Sequence, residues 1–250
     1  MKLCHFIALL LIVCLSVFFI GACSEVVEKP ENAVENDKID STVENNQYSE
    51  NSSGNFALPD FDREEGSVAE ALYRRVSQRS YSDDALTLEQ AATLLWAAGG
   101  LNIDGETGPT RTSPSAGGTY PLDFYLVAGN VQDLSPGIYR YDYLNHRLIP
   151  VADEDRRVEL AEAALGQQFI AEAPASIVFV AYFERSTGRY GERGERYVYM
   201  DTGYASQSLH LQAVELDLGT VAIGAFDDAE VSAVLETDGA PLKIMPVGSP

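Results

Sequence analysis

The stretch RTSPSAGGTYP, residues 111–121, places two prolines, two adjacent glycines and several hydroxyl groups in the middle of the chain. Pro114 fixes φ and has no backbone N–H, so the stretch does not lie inside a helix. Gly117 and Gly118 permit positive φ and the close approach of another molecule to the backbone. The hydroxyls that can face a flat, polar-edged ligand are those of Ser113, Ser115 and Thr119. An ordinary turn-rich loop has the same composition, so the rest of the chain must decide between the two interpretations.

Helical and strand patterns alternate on both sides of this stretch. Thr87 and Gln90 have the spacing of a capping box, and Gly99-Gly100 marks the end of the helix that follows. Helices are predicted to begin at Ser67 and Thr87 and to span 153–166, 196–218 and 227–235. Strands are predicted at 124–128, 137–143, 147–151, 175–183, 220–225 and 243–247, with a loop before the long helix that contains Gly188, Gly191 and Gly194. We therefore expect an α+β fold in which helices cover a sheet.

The composition limits the classes of partner. The chain has 250 residues, a formal net charge of −21 and a pI near 4.3, which argues against a nucleic-acid partner and against adsorption to anionic lipid head groups. Three cysteines and three histidines show no spacing typical of metal ligands, so no metal site is predicted. His210 lies among apolar residues in a helical pattern and is interpreted as a packed residue rather than a catalyst.

The first part of the chain has the pattern of an export signal. Residues 1–22 combine Lys2, a long apolar run and the small residues Ile-Gly-Ala before Cys23. This arrangement resembles a bacterial lipobox, in which Cys23 would be lipidated and become the mature N-terminus. An ordinary secretory peptide and a membrane anchor are the alternatives. We expect a lipid-anchored location in the bacterial cell envelope. Ser24 resembles the outer-membrane sorting residue of bacteria with two membranes, so in such a cell the expected place is the periplasmic side of the outer membrane.

Residues 23–66 follow with a different composition. They are rich in Glu, Asp, Asn and Ser and have no apolar periodicity, which predicts a disordered acidic linker between the lipid anchor and the folded part. Residues 67–250 carry the helical and strand patterns and are predicted to form one domain.

Four stretches in a fixed order resemble the FMN-dependent nitroreductase superfamily, in particular its SagB-type, thiazole/oxazole-oxidase-like dehydrogenases. They are RRVSQRSYS (74–82) with LLWAAGGLN (94–102), RTSPSAGGTYP (111–121), RYGERGERYVYMDTGYASQSLHLQAVELDLGTVAIGAFDD (189–228) and MPVG (245–248). Each stretch is weak alone, and their order over residues 67–248 makes the resemblance specific. It implies a nitroreductase-like fold with a mixed, mainly antiparallel sheet flanked by helices. It also implies a domain-intertwined homodimer that binds FMN at the subunit interface.

The resemblance implies roles for individual residues. The groups that would hold the FMN phosphate and ribityl chain are Arg75, Ser77 and Arg79, and guanidinium groups do bind phosphate oxygens in pairs. A solvated basic helix end is the alternative. The contacts with the isoalloxazine ring fall on Pro114, Ser115, Ala116 and Gly117. The backbone amides of Gly224 and Ala225 would face flavin N5 and O4, where a donor stabilises the charge that develops during hydride transfer.

Two departures from the family pattern matter for chemistry. SagB-type azoline oxidases carry a Lys-Tyr pair that handles the substrate proton, and the matching positions here are Arg189 and Tyr190. Arginine stays protonated and is not a general base, which leaves Tyr190 as the candidate for proton transfer. No Lys or Arg follows Lys243, so phosphate binding would depend on the N-terminal arginines or on a partner subunit.

The sequence therefore indicates an FMN-dependent oxidoreductase that transfers hydride between a small-molecule or peptide substrate and flavin N5, outside the cytoplasm. Because NAD(P)H is cytoplasmic, the expected electron acceptor is O₂ or a membrane component. A flavin-free binding protein of the same fold is one alternative. A tailoring dehydrogenase in modified-peptide biosynthesis is another.

Overall fold

The computed structural model describes residues 66–105 and 108–250. The export signal, Cys23 and nearly all of the acidic linker lie outside these residues. The helices are α1 (Val68–Arg74), α2 (Leu88–Gly99), α3 (Arg157–Ala163), α4 (Phe169–Glu172), α5 (Glu184–Tyr190), α6 (Arg193–Glu215) and α7 (Asp228–Val234). The strands are β1 (Leu101–Gly105), β2 (Gly108–Arg111), β3 (Leu122–Ala128), β4 (Gly137–Asp142), β5 (Arg147–Ala152), β6 (Ala175–Ala181), β7 (Gly219–Thr220) and β8 (Ala240–Gly248).

A six-stranded sheet forms the centre of the fold. Its order is β5-β4-β3-β6-β8-β7, and every pair of neighbouring strands is antiparallel. β1 and β2 form a separate antiparallel hairpin. In the described part of the chain, no helix has the length and apolar character needed to cross a membrane. The expected α+β fold with a mainly antiparallel sheet flanked by helices is confirmed.

Alternation along the central strands explains why helices cover both faces of the sheet. Phe124 and Leu126 of β3 belong to one buried cluster with α2 and α6, whereas Tyr125 and Val127 belong to a second cluster with α3 and α7. Successive side chains of a strand point to opposite faces, so a strand with apolar residues on both faces needs a helical layer on each side. All seven residues of β6 are buried, as this arrangement requires.

The start and end of α2 follow the sequence signals. The Thr87 hydroxyl accepts a hydrogen bond from the Gln90 backbone N–H at 3.1 Å, and the Gln90 side chain accepts one from the Thr87 N–H at 2.9 Å. Gly100 ends the helix as its C-cap residue. The predicted capping box is therefore confirmed, and it fixes the position at which α2 begins to pack against α6.

The predicted loop around Gly188, Gly191 and Gly194 is wrong, because two helices occupy most of this segment. Gly188 lies in α5 and Gly194 in α6, with Gly191 between them at φ 58°. A Cβ on Gly194 would come within 2.7 Å of the backbone of Ser186 and Thr187. Glycine is therefore present at this position because the two helices approach each other closely, and it does not mark a break in helical structure.

Smaller differences concern the ends of elements. The predicted strand 220–225 is short: β7 ends at Thr220, and Ile223 forms only an isolated bridge with Ile244. The helix predicted at 153–166 begins at Arg157, where the Asp155 carboxylate accepts a hydrogen bond from the Arg157 N–H at 3.2 Å. The β1–β2 hairpin and α4 were not predicted. Both are short, and neither has the apolar periodicity that marks a longer element.

Candidate functional site

The segment after α1 runs in an extended conformation beside the end of the sheet. Ser77 forms a parallel bridge with Thr220, and the Gln78 N–H donates to the Thr220 carbonyl at 3.0 Å. Alternate residues of an extended chain face the same side. The predicted phosphate-binding residues Arg75, Ser77 and Arg79 therefore share one side of this segment.

The arginines of this segment differ in their pairing. Arg74 forms an ion pair with Asp217 at 2.5 Å. Within residues 66–105 and 108–250, neither Arg75 nor Arg79 has a carboxylate within 4.0 Å. Two guanidinium groups and an exposed hydroxyl on one side of a fixed segment form a suitable donor set for a phosphate monoester. The residues present thus fit the phosphate end of FMN.

His210 fixes the backbone of the same segment. Its Nε2 lies 3.0 Å from the Val76 carbonyl oxygen, and because a carbonyl only accepts, Nε2 must carry the proton. Burial lowers the pKa of His210, and the positive charge of Arg75 lowers it further, against the opposing effect of the Val76 hydrogen bond. The prediction that His210 is a packed helical residue is confirmed, and its packing partner is the backbone between Arg75 and Ser77.

The loop at residues 113–120 is tightly wound. Gly117 and Gly118 have φ values of 59° and 66°, and Tyr120 has φ 43°. Left-handed backbone is unfavourable for a residue with a side chain, so the strain at Tyr120 must be offset by bonds elsewhere in the loop. A single 3₁₀ turn over Ala116–Gly118 forms the tip.

The hydroxyl groups of this loop bond inside the protein. Ser115 Oγ donates to the Asp201 carboxylate at 2.6 Å and accepts from the Tyr120 N–H at 2.9 Å. Thr119 Oγ1 lies 2.7 Å from the Ser186 hydroxyl, and the Ser113 hydroxyl donates to Ser208 at 3.4 Å. These hydroxyls thus have partners inside the protein, in α5 and α6, and their contact with a ligand stays a prediction. Pro114, Gly117 and Gly118 are exposed, so the Pro114 ring and the backbone of the two glycines can also face a flat ligand.

Asp201 of α6 is a site residue that the sequence analysis missed. Its side chain is buried, and it accepts from the Ser115 hydroxyl and the Ala116 N–H. Burial raises the pKa of Asp201, and these two hydrogen bonds oppose the rise. A signal was present in the sequence: Val198, Asp201 and Ala205 have the spacing of one helix face, so the carboxylate falls on an apolar stripe. A buried acid at such a position requires hydrogen-bond donors.

Arg111 lies beneath the loop as a second buried charge. Its guanidinium stacks on the Tyr143 ring, 3.4 Å from the ring centre, and Nη1 donates to the Leu122 carbonyl at 3.3 Å. Arg111 and Asp201 both line a cavity of about 20 Å³ under Pro114 and Ser115. Arg111 also contacts the loop itself: its Cζ lies 4.8 Å from the centre of the Tyr120 ring, and its backbone N–H donates to the Tyr120 hydroxyl at 3.3 Å.

Arg189 and Tyr190, the two candidate catalytic residues, contact the tip of the same loop. Arg189 Nη1 donates to the Gly117 carbonyl at 2.7 Å. A Cβ on Gly117 would overlap the Tyr190 hydroxyl and would lie 3.0 Å from the Arg189 Cζ. The Tyr190 ring also packs edge-on against Tyr197, with ring centres 5.0 Å apart. The structure thus brings Gly117, Arg189 and Tyr190 together.

Gly224 and Ala225 lie in an exposed segment after β7. No heavy atom lies within 4 Å of the position that a Cβ on Gly224 would take, and the Ala225 carbonyl accepts from the Gln167 side chain at 3.0 Å. In the described chain, no hydrogen bond joins this segment to the loop at 113–120. Thr220 lies a few residues earlier in the chain and forms the parallel bridge with Ser77.

Among the described residues, no group of three or more His, Cys, Asp or Glu side chains is arranged to hold a metal ion.

This six-stranded antiparallel sheet between helical layers, with an open cationic segment beside it, defines a nitroreductase-like α+β protein. A model of the Nitroreductase family matches residues 72–249, and the chain belongs to that family. Members of the family are generally oxidoreductases and typically use flavin.

Individual relatives agree with this assignment. The chain is 42% identical over 191 residues to a candidate nitroreductase of Methanocaldococcus jannaschii, a match that covers 76% of this chain and 94% of that protein. A candidate nitroreductase structure from Ralstonia eutropha superposes with a TM-score of 0.63 at 28% identity, covering 77% of this chain and 87% of that one. The Escherichia coli microcin synthetase complex McbBCD with truncated pro-MccB17 bound contains a chain that matches with a TM-score of 0.61 at 22% identity. That match covers 78% of this chain and 74% of the other, and it is a likeness of fold.

Proposed function

We propose that this protein is an FMN-dependent oxidoreductase of the SagB type that transfers hydride between flavin N5 and a small-molecule or peptide substrate. The observation that carries the proposal is the pair of arginines, Arg75 and Arg79, without carboxylate partners in the described chain. In a protein with a net charge of −21, cations without acidic partners favour a site for a phosphate. FMN, when bound, supplies the hydride chemistry.

The residues of the chain would then bind the cofactor and orient it toward the substrate. Arg75, Ser77 and Arg79 hold the phosphate, while the backbone of Pro114–Gly117 offers a surface for the ring. The amides of Gly224 and Ala225 are the proposed donors toward N5 and O4. The Tyr190 hydroxyl is the proposed group for a substrate proton, because Arg189 stays charged and cannot accept one.

A homodimer with FMN at its interface is part of the proposal. Val68, Leu72 and Val76, on and just after α1, are 69%, 52% and 63% exposed, and Tyr199 and Tyr204 of α6 are 58% and 51% exposed. Large exposed apolar surfaces often mark protein–protein interfaces. A second copy of the chain would cover them. Size-exclusion chromatography with light scattering tests this, since a monomer at micromolar concentration would contradict it.

We further propose that the chain is exported and anchored through a lipid on Cys23, with residues 23–66 as a disordered spacer, in the cell envelope. The electron acceptor would then be O₂ or a membrane component. Mass spectrometry of the N-terminal peptide tests the lipid, and Cys23→Ala should release the protein from membranes. Rapid reduction of the flavin by NAD(P)H at low micromolar concentration would contradict the proposed acceptor.

The test of the cofactor is the visible absorption spectrum of the purified chain. We expect the absorption bands of oxidised flavin, either as isolated or after incubation with FMN. A colourless protein that does not take up FMN would instead favour the flavin-free binding protein. The likeness to a chain of the McbBCD complex favours, as second candidate, a tailoring dehydrogenase in modified-peptide biosynthesis. Oxidation of an azoline-containing peptide by the FMN-loaded protein would identify that activity.

A further inference from the structure

The Arg189 guanidinium contacts the tip of the loop at 113–120. Its Nη1 donates to the Gly117 carbonyl at 2.7 Å. The Cζ and Nε atoms lie close enough to the Gly117 Cα that a Cβ at this position would come to 3.0 Å and 3.1 Å from them. Glycine at 117 is therefore what allows the guanidinium to lie there. The cation is placed by the backbone of the loop, beside the Tyr190 hydroxyl.

Arg185 is one turn earlier on α5 and provides a comparison. Its guanidinium is neutralised by both carboxylate oxygens of Asp123, at 2.7 Å and 3.3 Å. Arg189 has no carboxylate within 4.0 Å in the described part of the chain. A guanidinium has five N–H groups. Within residues 66–105 and 108–250, one of those of Arg189 donates to the Gly117 carbonyl, and the Cζ lies 5.4 Å from the centre of the Tyr190 ring. Most of its donor capacity is thus available, and its orientation is already fixed.

We infer that Arg189 is an anion subsite that binds a carboxylate of the substrate beside Tyr190. The inference rests on the proposed function and adds a substrate class: molecules that carry a carboxylate near the bond to be oxidised or reduced. Arginine binds carboxylates with two parallel hydrogen bonds. Because the whole chain is strongly acidic, an anionic substrate needs a local cation of this kind.

The test compares two probes of nearly the same shape, benzoate and benzamide, which differ in charge. Full-length protein loaded with FMN is titrated with each, and binding is followed by equilibrium dialysis and by the change in flavin absorption. We expect benzoate to bind at least about tenfold more tightly than benzamide, since a hydrogen bond to a charged group is worth that much or more. Equal affinity of the two probes for the wild-type protein would overturn the inference.

Two variants with the same loss of charge locate the effect. Arg189→Gln should lower benzoate affinity about tenfold or more and leave benzamide unchanged. Arg193→Gln removes an exposed arginine of α6 whose Nε bonds to Tyr197 and should change neither probe by more than about twofold. An equal loss in both variants would mean general electrostatic attraction and would overturn the subsite.

FMN affinity, measured by quenching of flavin fluorescence, separates this inference from the proposed function. Dialysis of benzoate against the FMN-free protein gives a readout that does not depend on the cofactor. A protein that never binds FMN but prefers benzoate through Arg189 would contradict the proposed function alone. A protein that binds FMN but shows no preference for benzoate would contradict the subsite alone.

Discussion

Residues 75–79 and residues 113–120 both carry polar side chains at the candidate site, and they use them in opposite ways. Arg75 and Arg79 have no carboxylate partner in the described chain, whereas Ser115 and Thr119 bond to Asp201 and Ser186 within it. In the first segment the side chains are available to a ligand. In the second they bond to other parts of the protein and hold the shape of the loop. Substitutions should therefore affect binding in the first segment and folding in the second.

The largest expected effect is on FMN binding by the first segment. Arg75→Ala combined with Arg79→Ala should weaken FMN binding about a hundredfold or more, since each charged hydrogen-bonding group contributes about 1.5–3 kcal/mol. The unfolding free energy of the FMN-free protein should change by less than about 0.5 kcal/mol. Fluorescence titration and urea denaturation measure the two quantities. The matched control is Arg147→Ala in the β4–β5 hairpin, and a loss of folding in the double variant would show that the arginines are structural.

Gly117→Ala should have the largest effect on folding in the second segment. Its positive φ costs about 1–2 kcal/mol with a side chain present, and overlap with Tyr190 adds about 1–3 kcal/mol. Gly118→Ala is the control, because it has a similar φ while the nearest atom to its Cβ would be in the Tyr120 ring at 3.8 Å. Urea denaturation should find Gly117→Ala the less stable variant. Equal losses would mean that the contact with Tyr190 is unimportant.

Ser115→Ala should have a smaller effect of the same kind. It removes the hydroxyl that donates to Asp201 at 2.6 Å and leaves a buried carboxylate short of a donor, at a cost of about 1–3 kcal/mol. Ser206→Ala is the control: it removes a half-buried serine of α6 whose hydroxyl donates to the Gly203 carbonyl, and it should cost less than about 0.5 kcal/mol. Thermal unfolding distinguishes them. A Ser115→Ala protein as stable as wild type would contradict the described loop anchor.

The smallest expected effect is a pH dependence. Since burial raises the pKa of Asp201, the folded state holds this proton more tightly than the unfolded state does. Its contribution to stability is present below the ordinary carboxyl pKa and is lost as pH rises through the raised value. The slope from one group is at most about 1.4 kcal/mol per pH unit. Asp201→Asn should remove this slope from unfolding free energies measured between acidic and neutral pH, and an unchanged slope would contradict the assignment.

Much of the fold could be predicted because local signals and packing agree. The α2 capping box, the β4–β5 hairpin and the apolar run of β6 each carry their own signal, and each was found where expected. The loop predicted at residues 188–194 was wrong for a physical reason. Its glycines serve the contact between α5 and α6, and a sequence pattern does not distinguish close packing from a turn.

The sequence indicated residues of the candidate site but not the contacts between them. Gly117 was expected at the flavin ring, and Arg189 and Tyr190 at the substrate proton. The structure brings the three residues together, and their roles stay predictions. The inward direction of the Ser115 hydroxyl could not be read from the sequence, because its partner Asp201 is distant in the chain. The sequence signal for this partner was the position of the Asp201 carboxylate on the apolar face of α6.

Two hydrogen bonds made by α6 limit which insertions and deletions the chain can accept. Asp201 holds the loop at 113–120, and His210 holds the backbone at Val76. Both anchors lie on one helix, so the distance and the angle between them are fixed by the number of residues that separate them. Each residue adds about 1.5 Å along the helix axis and about 100° of rotation. Exposed positions along this stretch should accept many substitutions in evolution. A single inserted or deleted residue would turn one anchor away from its partner, so the length of this stretch is the property most tightly constrained.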